Sequence, residues 1–242
     1  MPVVNLGFIY DERMVHLALE PNELLRLEQA GLLTGTFRRL DAARQQAVAA
    51  AILEEALERG PSRVRLKEIA AVAGVSVGSL YQYFGNRGGV LDFAIELVSQ
   101  SLVTELRGFI PVLAALPLRE GLGAWVTGGL EWSKEQAAVL SFFVRGAYEG
   151  DPMLGDRLVA PVAAVMLEAI STMIVAAIER GEARGDLDVP ATSRVVHALL
   201  AAIADAHLLP HLGRYLLVGD DPVSFDRTLE AALDLVLKGI RS

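Results

Sequence analysis

The 242-residue sequence contains no cysteine, so disulfides, thiolate metal sites and a cysteine nucleophile are all excluded, and a reducing compartment is compatible with it. Aromatic residues are scarce at 6%. No stretch alternates apolar and polar residues at period two for long enough to make a core strand. A positive balance is lacking as well: 22 Lys and Arg against 30 Asp and Glu leave a formal net charge of −8. That excludes a surface coated in cations for non-specific polyanion binding and confines any polyanion-binding surface to a local basic patch. The opening MPVVNLGFIYDERM has no basic stretch followed by an apolar run, so no secretory leader is expected and the expected location is cytoplasmic. Repeats, low-complexity tracts and Gly/Ser-rich linkers are also missing.

What is present is apolar material for a large core, 52% of the chain, which excludes disorder as the main state. Ala and Leu recur at helical period nearly throughout, so the expected fold class is all-α. Gly and Pro punctuation predicts helices near 42–59, 66–73, 77–83, 88–109, 118–133, 136–148, 153–181, 190–213 and 223–240. Residues 1–39 read as an appendage, with Val3 to Tyr10 extended and a short helix from Pro21 to Gly31. Charge is uneven: residues 38–110 carry +1, whereas 1–37 carry −3 and 111–242 carry −6. Inside the non-acidic segment Arg38, Arg39, Arg44, Arg63, Arg65, Lys67 and Arg87 flank two short helices, where a phosphate-binding surface needs its cations.

Pro161 to Ile178 is an apolar run interrupted by Glu168 at its middle. A membrane span and a helix buried on all sides share this pattern, and the central carboxylate favours the buried helix. No membrane partner is expected.

The stretch Leu66 to Phe84, LKEIAAVAGVSVGSLYQYF, reads as helix, turn, helix. Ile69 and Ala73 share an inward face, Ala70 is small enough for a second helix to cross closely, and Gly74 permits the left-handed residue that ends the first helix. Val75, Leu80 and Phe84 supply the apolar side of the second helix. Ser76 can cap it, leaving Ser76–Tyr83 short, polar and able to enter a major groove.

A helix ending at Gly60 followed by LKEIAAVAGVSVGSLYQYFGNRGGVL resembles the helix-turn-helix signature of the tetracycline-repressor (TetR) family of bacterial transcriptional regulators, over residues 44–95. A second likeness runs from Ala177 to Leu187, similar to the segment before the last two helices of many members. The resemblance implies an N-terminal three-helix DNA-binding domain at 40–87, preceded by an extension at 1–39. A larger helical ligand-binding and dimerisation domain would follow at 88–242. It implies that Ser76, Val77, Ser79, Gln82 and Tyr83 face the groove and that Tyr81 and Tyr83 bond phosphates. Arg87 stands where the family usually has a lysine, and Arg65 where it often has a capping Thr or Ser, so there a cation replaces the cap; Lys67 joins this phosphate-facing set. Gly88 and Gly89 replace the usual acidic and helix-forming residues, weakening the first turn of the next helix. Only Gln82 among the base-facing residues can make a bidentate contact, to adenine, so shape readout is expected to contribute. Arg38 and Arg39 are either a minor-groove arm or a solvated linker.

Other motifs point elsewhere and carry less. Gly74-Val-Ser76-Val-Gly78 fits a hydrolase nucleophile elbow, but an elbow needs a preceding strand and none is expected. His207 and His211 have metal spacing, yet Pro210 lies between them and no acidic cluster completes a set. No catalytic residue, metal or cofactor is expected. Trp125, Trp132, Phe142, Phe143, Met166 and Met173, with His197, either fill the core or wall a cavity. The resemblance favours the cavity and implies an apolar or amphipathic effector. It also implies that 190–213 and 223–240 pair across a two-fold axis as a homodimer on palindromic double-stranded DNA. A helical small-molecule-binding protein without sequence-specific DNA binding is the alternative.

Overall fold

The computed structural model describes residues 19–59, 63–148, 150, 152–218 and 223–241, and every element among them is helical. In chain order these are α1 (Pro21–Gln29), α2 (Gly35–Arg38), α3 (Ala42–Arg59), α4 (Leu66–Val72), α5 (Val77–Phe84), α6 (Arg87–Ala115), α7 (Leu118–Glu135), α8 (Ala137–Tyr148), α9 (Pro152–Leu154), α10 (Ala160–Glu179), α11 (Val189–Leu208), α12 (Pro210–Leu216) and α13 (Phe225–Ile240). A π turn, Gly155–Val159, joins α9 to α10. The expected extended stretch at Val3 to Tyr10 and the turns at Gly60-Pro61 and Gly219 to Pro222 lie outside the described residues.

The described residues form two compact units. The amino-terminal unit holds 19–103 and 137–162. Its buried residues include Val48, Ala49, Ile52, Leu53 and Ala56 of α3, Ile69 of α4, Leu80 and Phe84 of α5 and Phe93 of α6, and α3 packs directly on α4. Each Val, Leu, Ile or Phe side chain among them contributes about 1.5–3 kcal/mol of transfer free energy if fully buried. α3 also packs on α8, and α1 and α2 pack in series onto α5. Gln45 is buried in this unit and satisfied, its Nε2 donating to the carbonyls of Phe37 (3.2 Å) and Arg38 (2.9 Å).

The carboxy-terminal unit holds 104–136 and 163–241. Leu118, Leu122 and Val126 of α7 meet Ile170, Met173 and Ile174 of α10, Val196 and Leu200 of α11, and Leu233, Val236 and Leu237 of α13. Its helix ends are tied by side chains. Arg180 donates to the carbonyls of Ala114 and Leu116, and Glu182 accepts the Leu118 N–H at the start of α7 (2.7 Å). The Arg180 hydrogen bond, and then the Leu118 N–H, hold the Glu182 carboxyl below its ordinary value.

Two boundaries differ from the sequence expectation. α6 runs through Pro111 to Ala115 instead of ending near 109, because Ile110 and Leu113 are both buried and Arg180 takes the last carbonyls. The segment expected as one helix over 190–213 is two. Leu209, in front of Pro210, takes an extended conformation (φ −115, ψ 102), as the residue before a proline is pushed to do. His207 and His211 therefore sit on different helices.

Pro152–Glu179 is long and apolar enough to cross a membrane by length and composition. Its Ala169, Ile170, Met173, Ile174 and Ala177 are core residues of the carboxy-terminal unit, and its Glu168 pairs with Arg107 at 3.3 Å.

Candidate nucleic-acid interface

α4 starts at Arg65, whose side chain makes no capping bond. Instead the Arg65 N–H (3.1 Å) and Nε (3.3 Å) both donate to Oε1 of Glu55, a carboxylate of α3 that is only 7% exposed. α4 ends where Gly74 takes φ +65 and the Val75 N–H reaches back to the Ala70 carbonyl (2.9 Å), the paired closure that a left-handed glycine allows. Ser76 then caps α5: its Oγ accepts the Ser79 N–H at 3.0 Å and shares a hydrogen bond with the Ser79 hydroxyl at 2.9 Å. Ser76 is thus a helix cap following a helix, which removes the strand-to-helix elbow that a hydrolase nucleophile needs.

α5 divides into two faces. Leu80, Tyr83 and Phe84 are buried, while Ser76, Gly78, Tyr81 and Gln82 are exposed and Val77 and Ser79 half-buried. Tyr83 corrects the sequence expectation that it faces the groove. At 6% exposure its ring stands edge-on to Phe37 at 5.7 Å, because a residue three positions after Leu80 shares that residue's inward side. Arg65, Lys67 and Arg87 are exposed around this face. Arg87 donates to the Val64 carbonyl at 2.9 Å, joining the start of α6 to the loop before α4.

The turn from α5 to α6 explains its glycines. Gly85 takes φ +78, and the Gly89 N–H is capped by Asn86 Oδ1 at 3.1 Å. A Cβ on Gly89 would lie 2.0 Å from the Phe84 carbonyl oxygen, so the absence of a side chain there lets α6 start tightly against the end of α5. The Asn86 cap supports the first turn of α6, which the two glycines were expected to weaken.

Sequence reasoning missed the contribution of residues 34–37. The Thr34 N–H donates to the Tyr83 carbonyl (2.8 Å) and Thr34 Oγ1 to the Gln82 carbonyl (2.7 Å), so the appendage caps the last turn of α5. Phe37, fully buried, adds ring contacts to Tyr83, Phe84 and Phe93. Arg38 ends α2 and pairs with Glu28, which makes the Arg38-Arg39 pair part of a folded turn rather than a loose linker.

The residues expected to line an effector cavity fall in both units. Phe142 is buried and Phe143 half-buried on α8 in the amino-terminal unit. In the carboxy-terminal unit Met173 is core and Trp125, Trp132, Met166 and His197 are half-buried. Trp132 Nε1 donates to Glu105 (2.9 Å). Burial holds the His197 imidazole below its ordinary value, with the Asp205 charge opposing.

A two-helix reading unit with a polar, solvent-facing second helix, ringed by Arg and Lys, defines a helix-turn-helix DNA-binding protein. Residues 48–92 match the sequence profile of the bacterial regulatory proteins of the tetR family. Solved structures share the fold. A protein described as a TetR-family transcriptional regulator of Mesorhizobium loti aligns with a TM-score of 0.58 at 15% identity, over 83% of this chain and 98% of its own. SmeT, the repressor of the Stenotrophomonas maltophilia multidrug efflux pump SmeDEF, aligns at 0.53 and 20%, over 84% and 92%. A TetR-family regulator from Rhodococcus aligns at 0.51 and 24%, over 82% and 98%. No curated protein matches the sequence.

Proposed function

We propose that the chain is a cytoplasmic, homodimeric transcriptional regulator, a repressor that a small-molecule effector releases from a palindromic operator. The observation that carries this is α5. Its exposed Tyr81, Gln82 and Ser76 stand on a fully packed opposite face, within a segment matching a DNA-binding family. Residues 40–87 read DNA, and 88–242 hold the dimer contact and the half-buried Trp125, Trp132 and Met166 that favour an apolar or amphipathic ligand. Lys67, Arg65 and Arg87 position the duplex through phosphates, and Gln82 reads a base edge. No residue is assigned a catalytic role.

Dimerisation rests on α11 and α13, which pack together in one unit. Beyond that contact they expose Val195 (67%) and Leu235 (70%), flanked by Ala198, Ala202 and Ala231. An effector that binds better to the dimer with displaced recognition helices weakens operator binding, and the operator weakens effector binding by the same factor.

The test is selection of bound duplexes from a random pool at near-physiological salt, repeated with Gln82→Ala and Lys67→Ala. A palindrome is expected. Gln82→Ala should relax preference at one position of each half-site, and Lys67→Ala should weaken all sequences about equally. Folded, dimeric protein that enriches no sequence sinks the reading and leaves a helical ligand-binding protein.

A further inference from the structure

A glutamate is almost never buried without a partner, and Glu55, near the end of α3, has a side chain only 8% exposed. Its Oε1 gathers donors from two places in the chain. The Arg65 backbone N–H (3.1 Å) and the Arg65 Nε (3.3 Å) both hydrogen-bond to it, and the Nε of Arg59, one turn further along α3, is held at 3.1 Å as an ion pair. Arg59 also pairs with Glu58 at 3.5 Å, so it depends less on this carboxylate. Arg65, by contrast, stands at the start of α4 in an extended conformation with no side-chain cap, and is tied down at its backbone and its side chain by the same oxygen. A guanidinium carries its N–H donors in one fixed plane, so anchoring Nε sets the direction of the N–H groups on both Nη nitrogens. Among the described residues neither Nη of Arg65 makes a hydrogen bond. Glu68 Oε1 stands 3.6 Å from Nη1, in a pair whose side chains are 49% and 50% exposed, and such a pair in water is weak.

We propose that Glu55 is a positioning residue for DNA binding: it fixes Arg65, before any duplex arrives, in the pose that meets a backbone phosphate. The inference rests on the DNA-binding reading above, in which α4 is the helix that crosses the sugar-phosphate backbone. A free arginine gives up its rotamers when it grips a phosphate, and that ordering subtracts from affinity. The bonds to Glu55 hold Arg65 at its backbone and again where the guanidinium begins, so the ordering takes place on folding instead. The Nη edge is left outward, and that edge can present two N–H groups to phosphate oxygens.

Two other roles give different signs. A carboxylate that merely sequesters Arg65, or repels phosphate, weakens binding, so its removal strengthens it. The geometry speaks against sequestration, because Glu55 takes Nε and the backbone N–H and leaves the Nη edge open. A carboxylate that merely ties α4 to α3 supports the fold, and its removal harms binding whether or not Arg65 is present. Positioning predicts a loss on removing this negative charge, and only while Arg65 is there to be positioned.

The experiment is a double-mutant cycle on the full chain, titrated with the duplex selected from the random pool or, if none is enriched, with a labelled mixed-sequence duplex at low salt. Its members are Glu55→Met, which keeps the volume and removes the acceptor, Arg65→Ala, and the two together, each shown by thermal melting to be folded. Arg65→Ala should weaken binding and lower the slope of log K against log salt by about 0.9, the mark of one phosphate contact. Glu55→Met should weaken binding about three- to tenfold although it removes a negative charge. In the Arg65→Ala background the same change should weaken it no further. Glu55→Gln keeps an oxygen acceptor as a neutral, weaker partner, so its loss should be smaller, and it replaces Glu55→Met in the cycle if that variant melts too low. Glu55→Met binding as tightly as the unmodified chain, or more tightly, overturns the proposal, and so does an equal loss in both backgrounds, which is the structural outcome. An Arg65→Ala protein with unchanged affinity and slope also overturns it. If the unmodified chain binds neither duplex, the DNA-binding reading fails and takes this inference with it; if it binds and the cycle is additive, the inference alone falls.

Discussion

The backbone N–H of Thr34 donates to the carbonyl of Tyr83 at 2.8 Å, so a residue outside the helix-turn-helix holds the last turn of the recognition helix. The Thr34 hydroxyl takes the neighbouring Gln82 carbonyl. Helix carbonyls in the final turn have no partner of their own, and here the amino-terminal segment provides them.

Thr34→Val removes the hydroxyl donor and keeps the backbone one. It is expected to cost about 1 kcal/mol of stability and to weaken operator binding by more than that loss alone explains, since α5 is the proposed reading element. Phe37→Ala, which empties the ring cluster, should cost about 3–5 kcal/mol. Denaturant melts beside duplex titrations separate the two effects. A Thr34→Val protein with unchanged affinity would show that the brace does not position α5.

Gly89→Ala tests the close approach of α6 to α5. With the new Cβ 2.0 Å from the Phe84 oxygen, the two helices must separate. The gain in helix propensity of about 1 kcal/mol that alanine normally brings should be reversed into a net loss. Gly88→Ala, which meets only the Asn86 side chain at 3.0 Å, should be far milder. Equal melting temperatures for the two variants would contradict this geometry.

Much of this was legible beforehand. The helix-turn-helix announced itself through Gly74, Ser76 and the spacing of Ile69, Ala70 and Leu80, because those positions obey local rules of capping and periodicity. The inward turn of Tyr83 was legible too, from its place three residues after Leu80, but the family likeness directed attention to its hydroxyl. Thr34 and Phe37 were not legible, since their partners lie 46 or more positions away and nothing local marks a threonine as the cap of a distant helix. The Glu55 hub escaped notice for a related reason. A Glu on a helix of this composition normally faces water, and its burial follows from α4 closing over α3.

His197 predicts a pH dependence. Its value in the folded protein lies below that of the unfolded chain, about 6.5, through burial. In the window just below pH 6.5 the unfolded state therefore binds more protons. Stability falls as pH drops through that window and the fall ends once pH passes the folded value. His197→Gln should flatten this component of the curve between pH 7.5 and 5. Melting temperatures of both proteins across that range provide the check, and parallel curves would remove His197 as the cause.

The apolar face of α11 and α13 predicts the assembly. One exposed Leu needs no explanation, but Val195 at 67% and Leu235 at 70%, with alanines beside them on helices that pack together, form a surface that water disfavours. Each of these helices already buries its opposite side, Val196 and Leu200 on one and Leu233, Val236 and Leu237 on the other, so the exposed residues cannot be absorbed by rotating a helix. A second copy of the same face would cover them. Leu235→Glu and Val195→Glu put like charges from both copies at that contact, which costs desolvation as well as repulsion. Sedimentation should show a dimer for the unmodified chain and a folded monomer for the double variant, with palindrome binding reduced to that of a single half-site. A double variant that stays dimeric would place the interface elsewhere and leave this face in need of another partner.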